Sequence, residues 1–127
     1  MSQETLTRAW ELLQDAYQAQ MEGDYDRAVE LYKASLELHP TAEAHTFLGW
    51  AYHFQGKLDE AIAQCRTAID IDPEFGNPYN DIGAYLIELR RFQDFLERRH
   101  QGIAVFDPRS QGFIGNFVVV NRERSAF

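Results

Sequence analysis

Four histidines, one cysteine and several adjacent acids are the chemistry-bearing residues of this 127-residue chain. His39, His45, His53 and His100 have the donors for a metal site. His45 and His53 share one predicted helix but lie eight residues apart, about 12 Å along its axis, which is too far to ligate one ion. Cys65 has no second cysteine to pair with and no zinc-type spacing around it. It reads as a small buried apolar residue. Asp59-Glu60 reads as the first turn of a helix, where carboxylates favour the macrodipole. The chain has no G-x-G-x-x-G, no phosphate-binding glycine loop ending in Lys, no G-x-S-x-G and no H-E-x-x-H. No catalytic residue, cofactor or metal is expected. What remains is recognition by shape and charge.

Composition narrows the class of partner. Residues 1–89 hold 5 Lys/Arg against 16 Asp/Glu, a net −11, whereas residues 90–127 hold 7 Arg and 4 Asp/Glu, a net +3. An acidic body repels phosphates, so nucleic acid is excluded as the expected partner. The N-terminus MSQETLTRAW has neither the basic start nor the apolar run of a secretory signal. No stretch approaches the roughly 20 apolar residues that span a bilayer, so no membrane association is expected. A reducing, cytoplasmic setting is the default, and a chain this long buries enough surface to fold without cross-links.

The elements that must position any binding surface come from an internal repeat. Gly23-Asp24-Tyr25-Asp26-Arg27-Ala28 matches Gly56-Lys57-Leu58-Asp59-Glu60-Ala61 at a spacing of 33 residues, and the same spacing joins Pro40 to Pro73. Leu48-Gly49-Trp50-Ala51-Tyr52 matches Ile82-Gly83-Ala84-Tyr85-Leu86 at 34. Apolar Val29, Tyr32, Leu36 and Leu38 recur near helical spacing. Pro40 and Pro73 close those helices, because proline lacks the N–H and restricts the residue before it. Gly23 and Gly56 stand where the chain must reverse, a place for positive φ. Gly49 and Gly83 lie inside helical patterns, where glycine costs about 1 kcal/mol; close approach of a neighbouring helix is the expected reason, with Ala28 and Ala61 on the facing side.

These residues resemble the tetratricopeptide repeat family over about residues 9–108. Leu48, Gly49, Tyr52, Gly56, Ala61, Ala68 and Pro73 fall on its signature positions in the second unit; Ala16, Ala19, Gly23, Ala28, Tyr32 and Pro40 do so in the first. The third unit begins well with Tyr79, Ile82, Gly83 and Leu86, then departs: Arg90 replaces the turn glycine, Phe95 the packing alanine and Arg99 an apolar residue. The resemblance implies an all-α, right-handed superhelical solenoid of antiparallel helix pairs. Its three hairpins are expected at about 3–39, 42–73 and 77–106, with helices near 3–21, 25–39, 42–55, 58–71, 77–89 and 92–105. A tail of uncertain structure, rich in β-branched and aromatic residues, follows at 109–127.

In such a solenoid the first helix of each pair lines a concave groove. The resemblance places there Trp10, Leu13, Tyr17 and Gln20 from the first unit, Glu43, Thr46, Trp50 and His53 from the second, and Asn77, Asn80, Ala84 and Ile87 from the third. A different register of the first helix would make Trp10, Leu13 and Tyr17 core instead. Tyr17 and Trp50 are of the type enriched at binding hot spots. None of the twelve is Lys or Arg, so a clamp for an acidic carboxyl terminus is not expected; an apolar or basic peptide or helix suits the groove better. The expected function is a protein-interaction adaptor. The alternative is self-association through the solenoid end and the apolar 113–120 segment.

Overall fold

Local signals in the chain set the helix boundaries in the computed structural model, which describes residues 2–100 together with Phe106–Asp107 and Gly112–Phe113. Helix α1 spans Gln3–Met21, α2 Tyr25–Leu38, α3 Ala42–Phe54, α4 Leu58–Ile71 and α5 Asn77–His100. Ser2, Asp24 and Thr41 cap α1, α2 and α3, each side-chain oxygen accepting from the backbone N–H three residues on. Such a cap satisfies one of the free amides of a helix start and stabilises it by about 1 kcal/mol. Phe106–Asp107 pairs antiparallel with Gly112–Phe113. The expectations for the rest of 109–127 lie outside the described residues. Among the described residues no helix is long and apolar enough to cross a membrane.

Two compact units result, Met1–Leu86 and Ile87–Phe127. In the first, α1 pairs with α2, α3 pairs with α4, and α2 packs against α3. The two reversals are copies of one another. Gly23 has φ +85° and Gly56 φ +83°. After α1, the Gly23 N–H donates to the Gln20 carbonyl and the Asp24 N–H to the Ala19 carbonyl; after α3, the Gly56 N–H donates to His53 and the Lys57 N–H to Tyr52. This closes the helix ends with the orphan carbonyls satisfied.

The core of this unit is built from small residues with a few large ones among them. Ala9, Leu12, Ala16 and Ala19 bury one face of α1 against Ala28, Val29 and Tyr32 of α2. Ala61, Cys65 and Ala68 of α4 do the same for α3. Gly49 permits the contact: a Cβ there would stand 3.0 Å from the Ala61 carbonyl oxygen. Buried polar groups are tied across the pairs. Tyr32 Oη donates to Gln20 Oε1 at 2.7 Å and Ser35 Oγ donates to the Ala9 carbonyl at 2.7 Å.

The third repeat departs from the expected hairpin. Where two helices are expected, at 77–89 and 92–105, one helix of 24 residues runs through Arg90. The cause is local. An L-residue such as arginine resists the positive φ that Gly23 and Gly56 adopt, by about 1–2 kcal/mol, and Leu89, Arg90 and Arg91 are good helix formers. Gly83 differs accordingly from Gly49: among the described residues nothing lies within 4 Å of a Cβ added there, so no close packing explains it.

Candidate peptide-binding groove

Burial along α1 settles which of its faces is core. With Ala9, Leu12, Ala16 and Ala19 inside, Trp10 is 58% exposed and Tyr17 43% exposed, and Leu13 is half-buried. The register that makes Trp10 and Tyr17 core is therefore not the one adopted. On α3 the same division puts Ala44, Leu48, Ala51 and Tyr52 inside and leaves Glu43 exposed and Trp50 half-buried.

Rings then connect the two helices. Tyr17 meets Phe47 edge-on at 5.7 Å between centroids, Phe47 stacks on Tyr32 at 6.1 Å, and Trp50 lies 6.3 Å from Phe47 and 5.6 Å from Phe54. Tyr25 stacks flat on Phe54 at 5.1 Å. Such pairs prefer offset and edge arrangements at these separations and add stabilisation beyond the area they bury. The result is a continuous aromatic surface that is only partly covered.

Beside it lies a cavity of about 260 Å³, lined by Glu43, Thr46, Phe47, Trp50, Phe75, Asn77, Asn80 and Asp81. Five of the expected groove positions thus converge: Glu43, Thr46, Trp50, Asn77 and Asn80. Thr46 is largely buried and its hydroxyl donates to the Ala42 carbonyl at 2.8 Å, so it contributes a wall more than a hydrogen-bonding group. The N-terminus of α5 is positioned by Pro78, fully buried in its first turn, where a missing N–H is harmless. Tyr79 Oη fixes the approach by donating to the Pro73 carbonyl at 2.8 Å.

Other expected positions fall elsewhere. Gln20 is only 2% exposed and holds the Tyr32 hydroxyl, so it belongs to the core and offers no groove surface. It stands in the last turn of α1, where the helix meets α2. His53 is half-buried, stacked on Tyr85 at 4.9 Å, and does not line the cavity. Ala84 is exposed but lies off the cavity, and Ile87, 56% exposed, belongs to the second unit. Phe47, Phe75 and Asp81 are the lining residues that the spacing rule missed. Phe47 follows Thr46 directly and precedes Trp50 by three, a helical spacing that signals a shared face. Burial raises the Asp81 carboxyl above the usual range, and the charge of nearby His53 opposes the shift.

His45 and Cys65 take part in the pairing of α3 with α4. His45 Nδ1 is 2.7 Å from Gln64 Oε1, inside the α3–α4 pair. Cys65 is fully buried and its thiol is pushed up to about 12 by that burial, with Asp81 adding to the shift. Among the described residues no three His, Cys, Asp or Glu side chains converge on a point where a metal could sit.

A sequence model described as tetratricopeptide repeat matches residues 13–74, from the middle of α1 through the end of α4. The chain belongs to the tetratricopeptide repeat family. Small glutamine-rich tetratricopeptide repeat-containing protein 2 of Mycosarcoma maydis is 33% identical over 112 residues, which is 87% of this chain and 31% of that protein. Protein SGT1 homolog of Oryza sativa subsp. japonica is 34% identical over 86 residues, 67% of this chain and 23% of that protein. This tetratricopeptide repeat chain therefore spans less than a third of the length of either curated relative. Among solved structures, the first TPR of Spaghetti (RPAP3), bound to the HSP90 peptide SRMEEVD, matches 69% of this chain and 72% of its own with a TM-score of 0.65 at 21% identity. The Sgt2 TPR domain from Aspergillus fumigatus matches 67% and 57% with a TM-score of 0.63 at 19% identity. At these identities the likeness is one of fold, an all-α solenoid of antiparallel helix pairs.

Proposed function

We propose that this chain is a non-catalytic protein-interaction adaptor that holds a peptide or helix of a partner in the groove made by α1, α3 and the start of α5. One observation carries the reading. The cavity at Trp50 combines aromatic walls, Phe47, Trp50 and Phe75, with two amides, Asn77 and Asn80, at the helix start. Preorganised aromatic surface costs little entropy on binding, and side-chain amides hydrogen-bond an extended backbone.

Charge selects among peptides. The structurally similar Spaghetti domain holds an acidic HSP90 peptide. Here the cavity carries Glu43 and Asp81 and neither lysine nor arginine, so an acidic segment meets like charge. An apolar or basic segment is the better match. The test is a crosslinked pull-down from the native source, comparing the parent with Tyr17→Ala/Trp50→Ala and identifying captured proteins by mass spectrometry. Loss of specific partners at unchanged helicity supports the groove. Identical capture by both proteins contradicts it.

A second reading, self-association, draws on the second unit, where Ile87, Phe92 and Leu96 of α5 expose apolar surface. Sedimentation of the parent against Phe92→Ser/Leu96→Ser tests it: a dimer that becomes a monomer supports this reading, and a parent that is monomeric at tens of micromolar excludes it.

A further inference from the structure

We infer that the cavity between α3 and the start of α5 is a socket for a single arginine side chain of the bound partner. This rests on the groove reading and specifies its ligand. The cavity, at about 260 Å³, is below the range typical of drug-sized ligands, and its scale is that of one side chain. Three of its walls are aromatic, Phe47, Trp50 and Phe75, and two carboxylates, Glu43 and Asp81, share the lining. A guanidinium suits that combination. Its plane stacks on a ring while its fork of N–H groups meets a carboxylate in paired hydrogen bonds. An ammonium is compact, strongly hydrated and has no flat face, so lysine gains less.

The other occupants fit worse. An acidic side chain faces two carboxylates. An apolar side chain fills the volume but takes water from the Asp81 carboxylate, already half-buried, and adds no charge to that of nearby His53, an unfavourable exchange for a carboxylate. The start of α5 offers an anion fewer amides than an ordinary helix N-terminus. Pro78 has no N–H to offer, and the Tyr79 N–H already donates to the Gly76 carbonyl at 3.2 Å. At longer range the net −11 of residues 1–89 favours the approach of a cationic segment.

The experiment probes arrays of random heptapeptides with the full chain, with Glu43→Gln/Asp81→Asn and with Trp50→Ala, helicity being checked for each. Peptides retained by the parent are expected to share an arginine at one fixed position. Replacing that arginine with citrulline, its neutral near-isostere, is expected to weaken binding tenfold or more, since close charge pairs at interfaces couple at that level. On Glu43→Gln/Asp81→Asn the same replacement should cost less than threefold. Equal binding of the arginine and citrulline peptides overturns the socket, as does lysine serving as well as arginine. Retained peptides without a shared arginine, lost on Trp50→Ala, overturn the socket and leave the groove reading standing. Peptides that bind Trp50→Ala as well as the parent overturn both.

Discussion

After α1 and again after α3 the chain reverses within three residues, whereas at the corresponding place in α5 it runs straight on. The difference lies in one side chain. Gly23 and Gly56 adopt φ near +85° and let two carbonyls of the preceding turn be satisfied by the next two amides. Arg90 stays helical and has an exposed ion pair to Asp94 at 3.6 Å. The consequence spreads along each element. In α3 a partner helix comes close enough that Gly49 is required, while at Gly83 of α5 the space a methyl would occupy is open among the described residues. A repeat is thus a set of coupled choices: where Arg90 stands in place of the turn glycine, Gly83, the counterpart of Gly49 at a spacing of 34, loses its reason.

Several measurements break or sharpen this contrast. The largest effect concerns Cys65, buried in the α3–α4 pair with its thiol pushed up to about 12. At pH 8 its exchange with an aromatic disulfide reagent should be roughly a thousandfold or more slower than that of an ordinary thiol of pKa ~8.5. Leu86→Cys in a Cys65→Ala background, on the exposed side of α5, should react at an ordinary rate. Next, Gly49→Leu forces a side chain against the Ala61 carbonyl and should lower unfolding free energy by about 2–3 kcal/mol in urea titrations. Gly56→Ala places a Cβ at φ +83° and should cost about 1–2 kcal/mol. Gly83→Ala has the opposite sign, a gain of about 0.5–1 kcal/mol from helix propensity alone. Asp94→Ala removes only an exposed pair and should move stability by less than about 0.5 kcal/mol. If Gly49→Leu and Gly83→Ala shifted stability in the same direction, the contrast between the two regions would fail.

Much of this arrangement is legible in the residues. Paired glycines, prolines and alanines at a spacing of 33 specify four helices whose ends fall within one residue of expectation, because caps and turn residues act locally. The straight run of α5 is also written locally, in Arg90, yet the pull of the repeat pattern favoured a hairpin there. At the cavity, the 3–4 spacing picks out Glu43, Thr46 and Trp50 on one face of α3 and Asn77 and Asn80 at the start of α5, because residues at that spacing share a helix face. It misplaces Gln20, since a regular spacing carries on to the last turn of α1, where the helix meets Tyr32 of α2. It misses Phe75 because that residue precedes α5 and reaches the cavity through the connecting loop. Such a position depends on the path of the chain and has no period.

Binding of a partner at the cavity beside Trp50 can be read residue by residue. The most direct measurement is a map of backbone amide and indole N–H shifts of the isotope-labelled full chain during titration with the tightest array peptide. The Trp50 indole and the amides of Thr46, Phe47, Asn77 and Asn80 are expected to move together and saturate with one affinity, while exposed positions on the other helices, such as Glu30 of α2 and Arg66 of α4, stay fixed. Shifts confined to α2 and α4, with the Trp50 signal unmoved at saturation, would contradict binding at this cavity.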